Sequence, residues 1–452
     1  MAVPDNKPGR TPYDYSIKSA TISNDRMGEK LKVGPAIAEL VLYEHIEKPF
    51  MTGVLTLLDT VDLYNRINFQ GTDIFEMEFH YPNTEKKIVK KFIISSLDGS
   101  QKSNDTVDLM IFHLVEYDFF KSRSQSISKA YFDTPRKIIE RALREGEIEK
   151  ELVVGDMEPV QERFRYIAPY INPFAVCQEI KSVCTTESGF PYYLYSTANL
   201  DDKLVFRNLK ELLQRSPTVD KKRPFTYSSL SVQRQETATN IDEGSRVIEG
   251  YRVVHNGDLL NLMTRGFLGS TLETVNVNEF NPRSLDFDVT TVLDQITQLY
   301  PEGQRESFYD DEFMGGLHNQ QSRHITNISM SNIYSDGQAG IHEVSMWDNP
   351  LKIFTQEAIR ALQAFSSIDV KLPGYQFFGE PDEERTVGAN INLRFYNNDA
   401  RNITTDNREE NEVIDTKKTG QYMIYAARHT FTPSRYDVTA TCVKFTDLEE
   451  TG

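Results

Sequence analysis

The chain has 452 residues, 39% of them hydrophobic and 26% charged, with a formal net charge of −17. This is a globular composition, long enough for roughly two to four domains, and its acidic balance argues against a duplex-DNA reader, which needs a basic face to neutralise phosphates. Cys177, Cys184 and Cys442 are odd in number and include no CxxC pair, which argues against a disulfide framework or zinc ribbon, and no run of ~18 apolar residues is present to span a membrane.

The N-terminus, MAVPDNKPGRTPYDYS, has no apolar core segment and does not read as a signal peptide. The chain is therefore expected to fold in a reducing cytoplasm. Residues 1–12, rich in Pro, Gly and Lys, read as a flexible tail.

From Tyr15 the pattern is β. Strands are expected at 15–22, around Ile37 to Ile46, at 53–59 and at 74–81, where Phe75, Met77 and Phe79 alternate with Glu76 and Glu78. Strands at 92–97 and 107–117 follow as a hairpin closed by the polar loop DGSQKSND. The period then becomes helical. Asp133-Thr134-Pro135 starts one helix, with Ile138, Ile139, Ala142 and Leu143 on its apolar face. Asn172-Pro173 starts another, which buries Phe174, Cys177, Ile180 and Cys184. A hairpin over 192–209 completes a small α+β stretch.

Strand-like sequence resumes near 247–254 and 266–277. Residues 300–345 are Gly-, Asn- and Ser-rich and read as long loops. The segment 354–365 is an amphipathic helix. Strands follow around Ile368 to Leu372, Ile391 to Phe395, 421–431 and 436–445, with a charged loop at 397–418.

Two regions resemble each other. GTDIFEMEFHY (71–81), KFIISSLDG and TVDLMIFHLVEY are matched by GANINLRFYNN (388–398), QYMIYAARH and YDVTATCVKF. Each has a Gly, an Ile three residues on and a Phe seven or eight on, followed by a strand and a long return strand. The residues leave open whether this is a true duplication or two unrelated hairpins.

Sites for chemistry are absent from the pattern. There is no HExxH, GxSxG, Walker A, Rossmann or EF-hand motif, so no catalytic, cofactor-binding or metal-ligating residue is assigned and the chain reads as a non-enzyme. His318 and His324 read as exposed polar residues of a loop. His80, His113 and His429 lie on strands, where a surface or inter-subunit role is the commoner one. Cys177 and Cys184 share a helix face and read as small buried groups. The run Tyr309-Asp310-Asp311-Glu312 lacks the spacing of a cation loop and reads as a solvated turn.

The segment IAELVLYEHIEKPFMTGVLTLLDTVDLYNRINFQGTDIFEMEF resembles the first barrel of the central baseplate hub proteins of contractile-tailed (T-even-like) phages, which are related to the hub portion of type VI secretion spikes. FRYIAPYINPFAVCQEI, GFPYYLYS and LVFRNL are similar to the inserted domain of those hubs, and the segment from the 354–365 helix to YDVTATCVKF is similar to the second barrel. The resemblance implies a β-rich multidomain (α+β) chain with two similar tube-type β-barrels, an inserted α+β module and long loops. Its expected divisions are 13–125 for the first barrel, 126–235 for the module, 236–290 with 354–447 for the second barrel, and 291–353 for a loop-rich insertion. It further implies a homotrimer in the virion's tail baseplate, assembled in the host cytoplasm. That trimer's pseudo-six-fold ring of barrels would join a three-fold central spike protein to a six-fold tail tube protein, beside other baseplate proteins. Tape-measure protein and DNA would pass through its channel without sequence-specific binding, and no membrane or cofactor is involved. The expected seam between chains is the exposed faces of strands 74–81 and 391–396, at Phe79 and Phe395, since an edge strand must be paired or covered. Two alternatives stand beside this: the hub of a type VI secretion or extracellular contractile system, which usually continues into a β-helical needle not seen before Gly452, and a tail-associated glycan-binding or cell-wall hydrolase protein.

Overall fold

Alternating apolar and polar residues build most of the strands, because side chains of an extended chain point to opposite faces in turn. The computed structural model describes residues 11–446 apart from 27–28, 61–68, 70, 81–86, 105–106, 156–162, 201, 218–222, 228–240, 256–258, 265, 267, 278–280, 290–321, 330–350, 378–382, 399–411 and 416. The chain is β-rich, with several sheets and few helices.

The first strands are β1 (Ile17–Ser23), β2 (Leu31–Lys32), β3 (Ile37–His45), β4 (Thr52–Asp59), β5 (Ile74–His80), β6 (Lys87–Asn104) and β7 (Val107–Glu116). In β5 the apolar residues Phe75, Met77 and Phe79 are buried and Glu76 and Glu78 are not. The expected loop DGSQKSND is mostly strand instead, and β6 runs on to pair Leu97 with Phe112 and Lys102 with Asp108. A strand with a partner on one edge needs no apolar residues to stay paired, so its polar sequence reads as loop.

The insert follows: α1 (Tyr117–Arg123), β8 (Ile127–Asp133), α2 (Pro135–Glu145), β9 (Glu151–Val154), β10 (Phe164–Ile171), α3 (Pro173–Val183), β11 (Tyr192–Tyr195), β12 (Lys203–Asn208) and α4 (Leu209–Gln214). Both expected helices start as their sequences dictate. Pro stands in the first turn, and the side chains of Thr134 and Asn172 accept from the backbone N–H groups of Lys137 and Ala175. Cys177 and Cys184 are buried in the insert's own core with Ile138, Ile139 and Phe206.

The remainder contains β13 (Phe225–Tyr227), β14 (Gly250–His255), β15 (Gly269–Asn276), β16 (Asn281–Asp288), β17 (Arg323–Ser329), α5 (Lys352–Phe365), β18 (Ser366–Pro373), β19 (Asn390–Asn398), β20 (Glu412–Ile414), β21 (Gly420–Thr432) and β22 (Arg435–Thr446). Three sequence expectations need correction. Within 126–235, β13 leaves the insert and pairs in parallel with β19. Within 236–290, only β14 joins the main sheet, while β15 and β16 form a separate sheet with β17. β17 lies in the stretch read as loop, and it places His324 on a strand beside Glu273 at 3.1 Å. Its residues carry few large apolar groups, so periodicity does not reveal it. His318 and the acidic run at 309–312 lie outside the described residues.

Among the described residues the main sheet has fourteen strands, and it shows a duplication. The first half runs β3-β4-β7-β6-β5. The second runs β14-β18-β22-β21-β19. In each the chain visits the strands in the same sequence, so the two halves share one topology. Rows across the sheet correspond as well. Leu40 pairs with Leu55, Leu55 with Phe112 and Phe112 with Leu97. Tyr251, Val370, Ala440 and Ala427 form the equivalent row. One irregularity matches as well, since β6 breaks register between Ile94 and Ser96 and β21 between Ile424 and Ala426, whereas the breaks of β6 between Leu97 and Ser100 and between Lys102 and Asn104, and of β21 between Gln421 and Tyr422, have no counterpart. Gly71 and Gly388, which precede β5 and β19, both have positive φ, 74° and 79°, a conformation that favours glycine. One apolar core serves both halves.

Candidate assembly interface

The two repeats are joined edge to edge. β21 carries β22 along one edge. Its other edge is shared, by β19 over Gly420–Met423 and by β3 over Ala426–Phe431. The β3–β21 join is antiparallel, with Tyr43 opposite Arg428 and Glu44 opposite Ala427.

A buried polar cluster fastens this join. The Glu44 carboxylate is bonded to His429 Nε2, and His429 Nδ1 lies 2.8 Å from the Tyr436 hydroxyl. Thr386 Oγ1 donates to Glu44 at 3.1 Å, and the Ala198 backbone N–H donates to it at 3.3 Å. Burial pushes the Glu44 carboxyl up, but His429 and the hydrogen bonds from His429, Thr197 and Thr386 outweigh it and hold the group below its usual range. His429 is 1% exposed, which corrects the expectation of a surface or inter-subunit role. The Tyr436 ring stacks on Phe431, with centroids 4.4 Å apart. No local motif announces this cluster, because its members come from β3, the insert, the segment before β19, and β21–β22. The one signal in the sequence is a Glu and a His at core-facing phases of apolar strands.

The insert reaches into the same place. Glu384 accepts from the Tyr195 hydroxyl at 2.7 Å and from Arg215 Nη1 at 2.6 Å, and Arg207 Nη2 lies 3.1 Å away. Lys150 donates to Glu116 Oε1 at 2.5 Å and to Ser196 Oγ at 3.1 Å. Lys90 donates to the Thr197 carbonyl at 3.1 Å. The insert is thus pinned to both repeats, and the repeats are held as one body.

Phe79 and Phe395 are 3% and 1% exposed, so the expectation that they stand on an exposed seam is corrected. Their alternation puts the aromatic rings inward and Glu78 and Arg394 on the other face. Phe79 packs against Phe431 at 5.3 Å, across the join inside one chain, and Phe395 packs against Tyr251 at 5.0 Å.

Among the described residues, several sheet edges have no partner strand, and two of them correspond in the two repeats. β14 pairs with β18 along one edge only. β6 pairs with β7 along one edge and with β5 on the other over Lys87–Ile93, and the rest of that second edge carries no strand. These are the equivalents of the two edges that meet at the β3–β21 join.

The outward side of the join holds a shallow cavity of about 420 Å³, lined by Tyr43, His45, Thr52, Ala426, Arg428 and Thr441 among others. Among the described residues no cluster of His, Cys, Asp or Glu is placed to hold a metal ion, and no helix is long and apolar enough to cross a membrane.

No family model matches the sequence. No curated protein matches it either. The chain is similar to solved structures that include phage tail proteins and a component of the type VI secretion system. A tail protein from Neisseria meningitidis MC58 is 9% identical with a TM-score of 0.49, over 96% of this chain and 97% of that one. The 43 kDa tail protein of prophage MuSo2 from Shewanella oneidensis is 8% identical with a TM-score of 0.48, over 94% and 96%. The chain is also similar to the c3393 protein of E. coli, described as a type VI secretion component with structural similarity to the T4 tail proteins gp27 and gp5. That match is 9% identical with a TM-score of 0.42, over 96% and 77%.

Proposed function

We propose that the chain is a structural hub of a contractile phage tail, a homotrimer in which six copies of one β-repeat form a pseudo-six-fold ring. The observation that carries this reading is the duplication itself: two repeats of one topology in a single chain, joined edge to edge by β3 and β21. Three such chains present six similar surfaces to a six-fold tube on one side and three identical sites to a three-fold spike on the other. A trimer of unrepeated chains would present only three. The inserted module, pinned by Glu384, Lys150 and Lys90, supplies the three-fold features.

The ring would enclose a channel for DNA and tape-measure protein. The outward side of the join is lined by small and mixed-charge residues such as Thr52, Ala426, Arg428, Thr439 and Asp369. Such a surface has little hold on a phosphate backbone, which binds to clusters of Lys and Arg. The role is structural, with no reaction assigned. The same ring would also serve the hub of a type VI secretion or extracellular contractile system.

Light scattering of the purified protein tests this. The expected mass is about three times the 51.9 kDa of one chain, with a central channel visible by electron microscopy. A mass of one chain at micromolar concentration would count against the hub reading.

A further inference from the structure

The insert carries an outward surface that the join between the repeats does not use. β8 and β10 pair as a two-stranded ribbon, with Phe132 opposite Arg165, Ala130 opposite Ile167 and Ser128 opposite Pro169. Strand alternation turns these six side chains away from the insert's core and turns Tyr131, Phe164, Tyr166 and Ala168 into it. The inner face is fastened to both long helices of the insert. The Tyr131 hydroxyl donates to Glu145 of α2 at 2.6 Å, and the Tyr166 hydroxyl donates to Glu179 of α3 at 2.5 Å. The ribbon is therefore a fixed platform.

Its outer face is apolar where a solvated strand would carry polar side chains. Phe132 is 41% exposed, Ile167 55% and Tyr170 74%. These are three of the ten large apolar side chains exposed among the described residues, and one short ribbon gathers them, which marks an interaction site. Tyr170 adds a second observation. The β8–β10 register slips between Pro169 and Ile171, and Tyr170 is the residue left over, with a φ of 60°. A bulky side chain in left-handed backbone is strained, and such strain gathers at functional sites. Among the described residues the Tyr170 ring makes no aromatic contact and its hydroxyl no hydrogen bond, so the strain returns nothing to the fold of one chain.

The charge of the face specifies its partner. Arg163 precedes β10 at the same phase as Arg165, and the two guanidinium carbons lie 5.9 and 4.9 Å from the centre of the Phe132 ring. The six paired outward positions hold no carboxylate. A basic and aromatic face thus stands on a chain whose net charge is −17. Tyr and Arg are the side chains that most often anchor protein interfaces, and arginine beside apolar surface selects carboxylates. We propose that the outer face of the β8–β10 ribbon docks a separate protein, whose apolar pocket takes Ile167 and Tyr170 and whose rim carboxylates meet Arg163 and Arg165. The proposal goes beyond the hub reading and does not depend on it.

Fluorescence anisotropy with a labelled random copolymer of glutamate and tyrosine tests this on the full chain, with labelled polyglutamate as the second probe. The copolymer should bind, less tightly as salt rises. Polyglutamate, which offers carboxylates and nothing apolar, should bind about tenfold more weakly. Arg163→Glu and Tyr170→Gly should each weaken copolymer binding by about tenfold or more. Tyr170→Gly has a further readout. Relief of the left-handed strain offsets the extra backbone freedom of glycine, so the melting temperature should stay close to that of wild type while binding is lost. A ring needed for the fold would not allow this. Arg163→Glu changes only an exposed side chain and carries the test if Tyr170→Gly does not fold. By light scattering both variants should keep the wild-type mass. No binding of the copolymer, or binding unchanged in Arg163→Glu, would overturn the proposal. A mass that falls in the folded variants would overturn it too, since the occupant would then be a second copy of this chain. Binding to vesicles of phosphatidylglycerol that Arg163→Glu abolishes, with no binding of the copolymer, would make the occupant a membrane surface and would also overturn it. A single-chain mass for the wild type would count against the hub reading alone.

Discussion

Glu44 and His429 lie 385 positions apart in the sequence and are bonded to each other in the interior, across the join between the two repeats. Neither can relax toward water if its partner is removed. Breaking a buried pair by deleting one side typically costs about 3–5 kcal/mol, because the other is left unsatisfied in a low-dielectric site. Glu44→Ala and His429→Ala should each lower the unfolding free energy by an amount in that range, read as a lower urea midpoint. A midpoint unchanged in either variant would show that the pair does not hold the join.

The same carboxylate predicts a pH dependence. Its folded-state pKa is lowered, so its contribution is complete above the usual carboxylate range and is lost as pH falls through the lowered folded value. Glu44→Gln cannot titrate. The gap in unfolding free energy between wild type and Glu44→Gln should therefore be constant near neutrality and narrow in acid below the ordinary carboxylate pKa. A gap that widens in acid would contradict the sign of the shift.

Phe79 and Phe395 occupy equivalent phases of β5 and β19, and both belong to one core that runs through both repeats. Truncation of a buried Phe costs about 3–5 kcal/mol. Because the core is shared, Phe79→Ala and Phe395→Ala should each move a single unfolding transition that contains both repeats. Two separate transitions by calorimetry, each sensitive to one variant only, would mean that the repeats fold as independent units.

The strands were legible where burial is one-sided. β4, β5 and β7 from Met110 onward alternate, and the two long helices of the insert carry their start signals at Thr134-Pro135 and Asn172-Pro173. The polar half of β6 and all of β17 were not legible, because pairing with a neighbour holds them and their side chains carry no period. The duplication was visible as faint similarity around Gly71 and Gly388, with Ile74 matched to Ile391. The ladder instead matches Phe75 to Ile391, since Ile94 bonds to Asp73 and Ile424 to Ala389. One extra residue after Gly71 accounts for the slip, and it also explains why Phe falls eight residues on in one repeat and seven in the other. The Glu44–His429 pair and the open edges depend on three-dimensional neighbours, which no local window contains.

Glu384 makes a separate prediction about the insert. Its carboxylate receives the Tyr195 hydroxyl, Arg207 and Arg215, and its side chain is 4% exposed. Tyr195→Phe removes one hydrogen bond and leaves both guanidinium groups in place, so it should cost about 1 kcal/mol. Glu384→Ala removes the partner of the buried Tyr195 phenol and of Arg215, while Arg207 keeps Glu211, and should cost more than Tyr195→Phe. Equal effects in thermal melts would indicate that the arginines find other partners.

Two glycines give a contrast, Gly374 in the turn that follows β18 and Gly250 at the start of β14. A Cβ on Gly374 would lie 1.9 Å from the ring of Tyr436, which is fully buried and holds His429. Backbone and ring cannot both stay in place, so Gly374→Ala should destabilise the join, by about 1–3 kcal/mol as for other overpacked cores. A Cβ on Gly250, at the start of β14, meets nothing within 4 Å. Gly250→Ala should therefore leave stability unchanged or raise it slightly, because alanine has less backbone freedom to lose on folding. Melting both variants beside wild type checks the pair. A loss of stability at Gly250 comparable to that at Gly374 would mean that the outer edge of β14 is already covered within one chain.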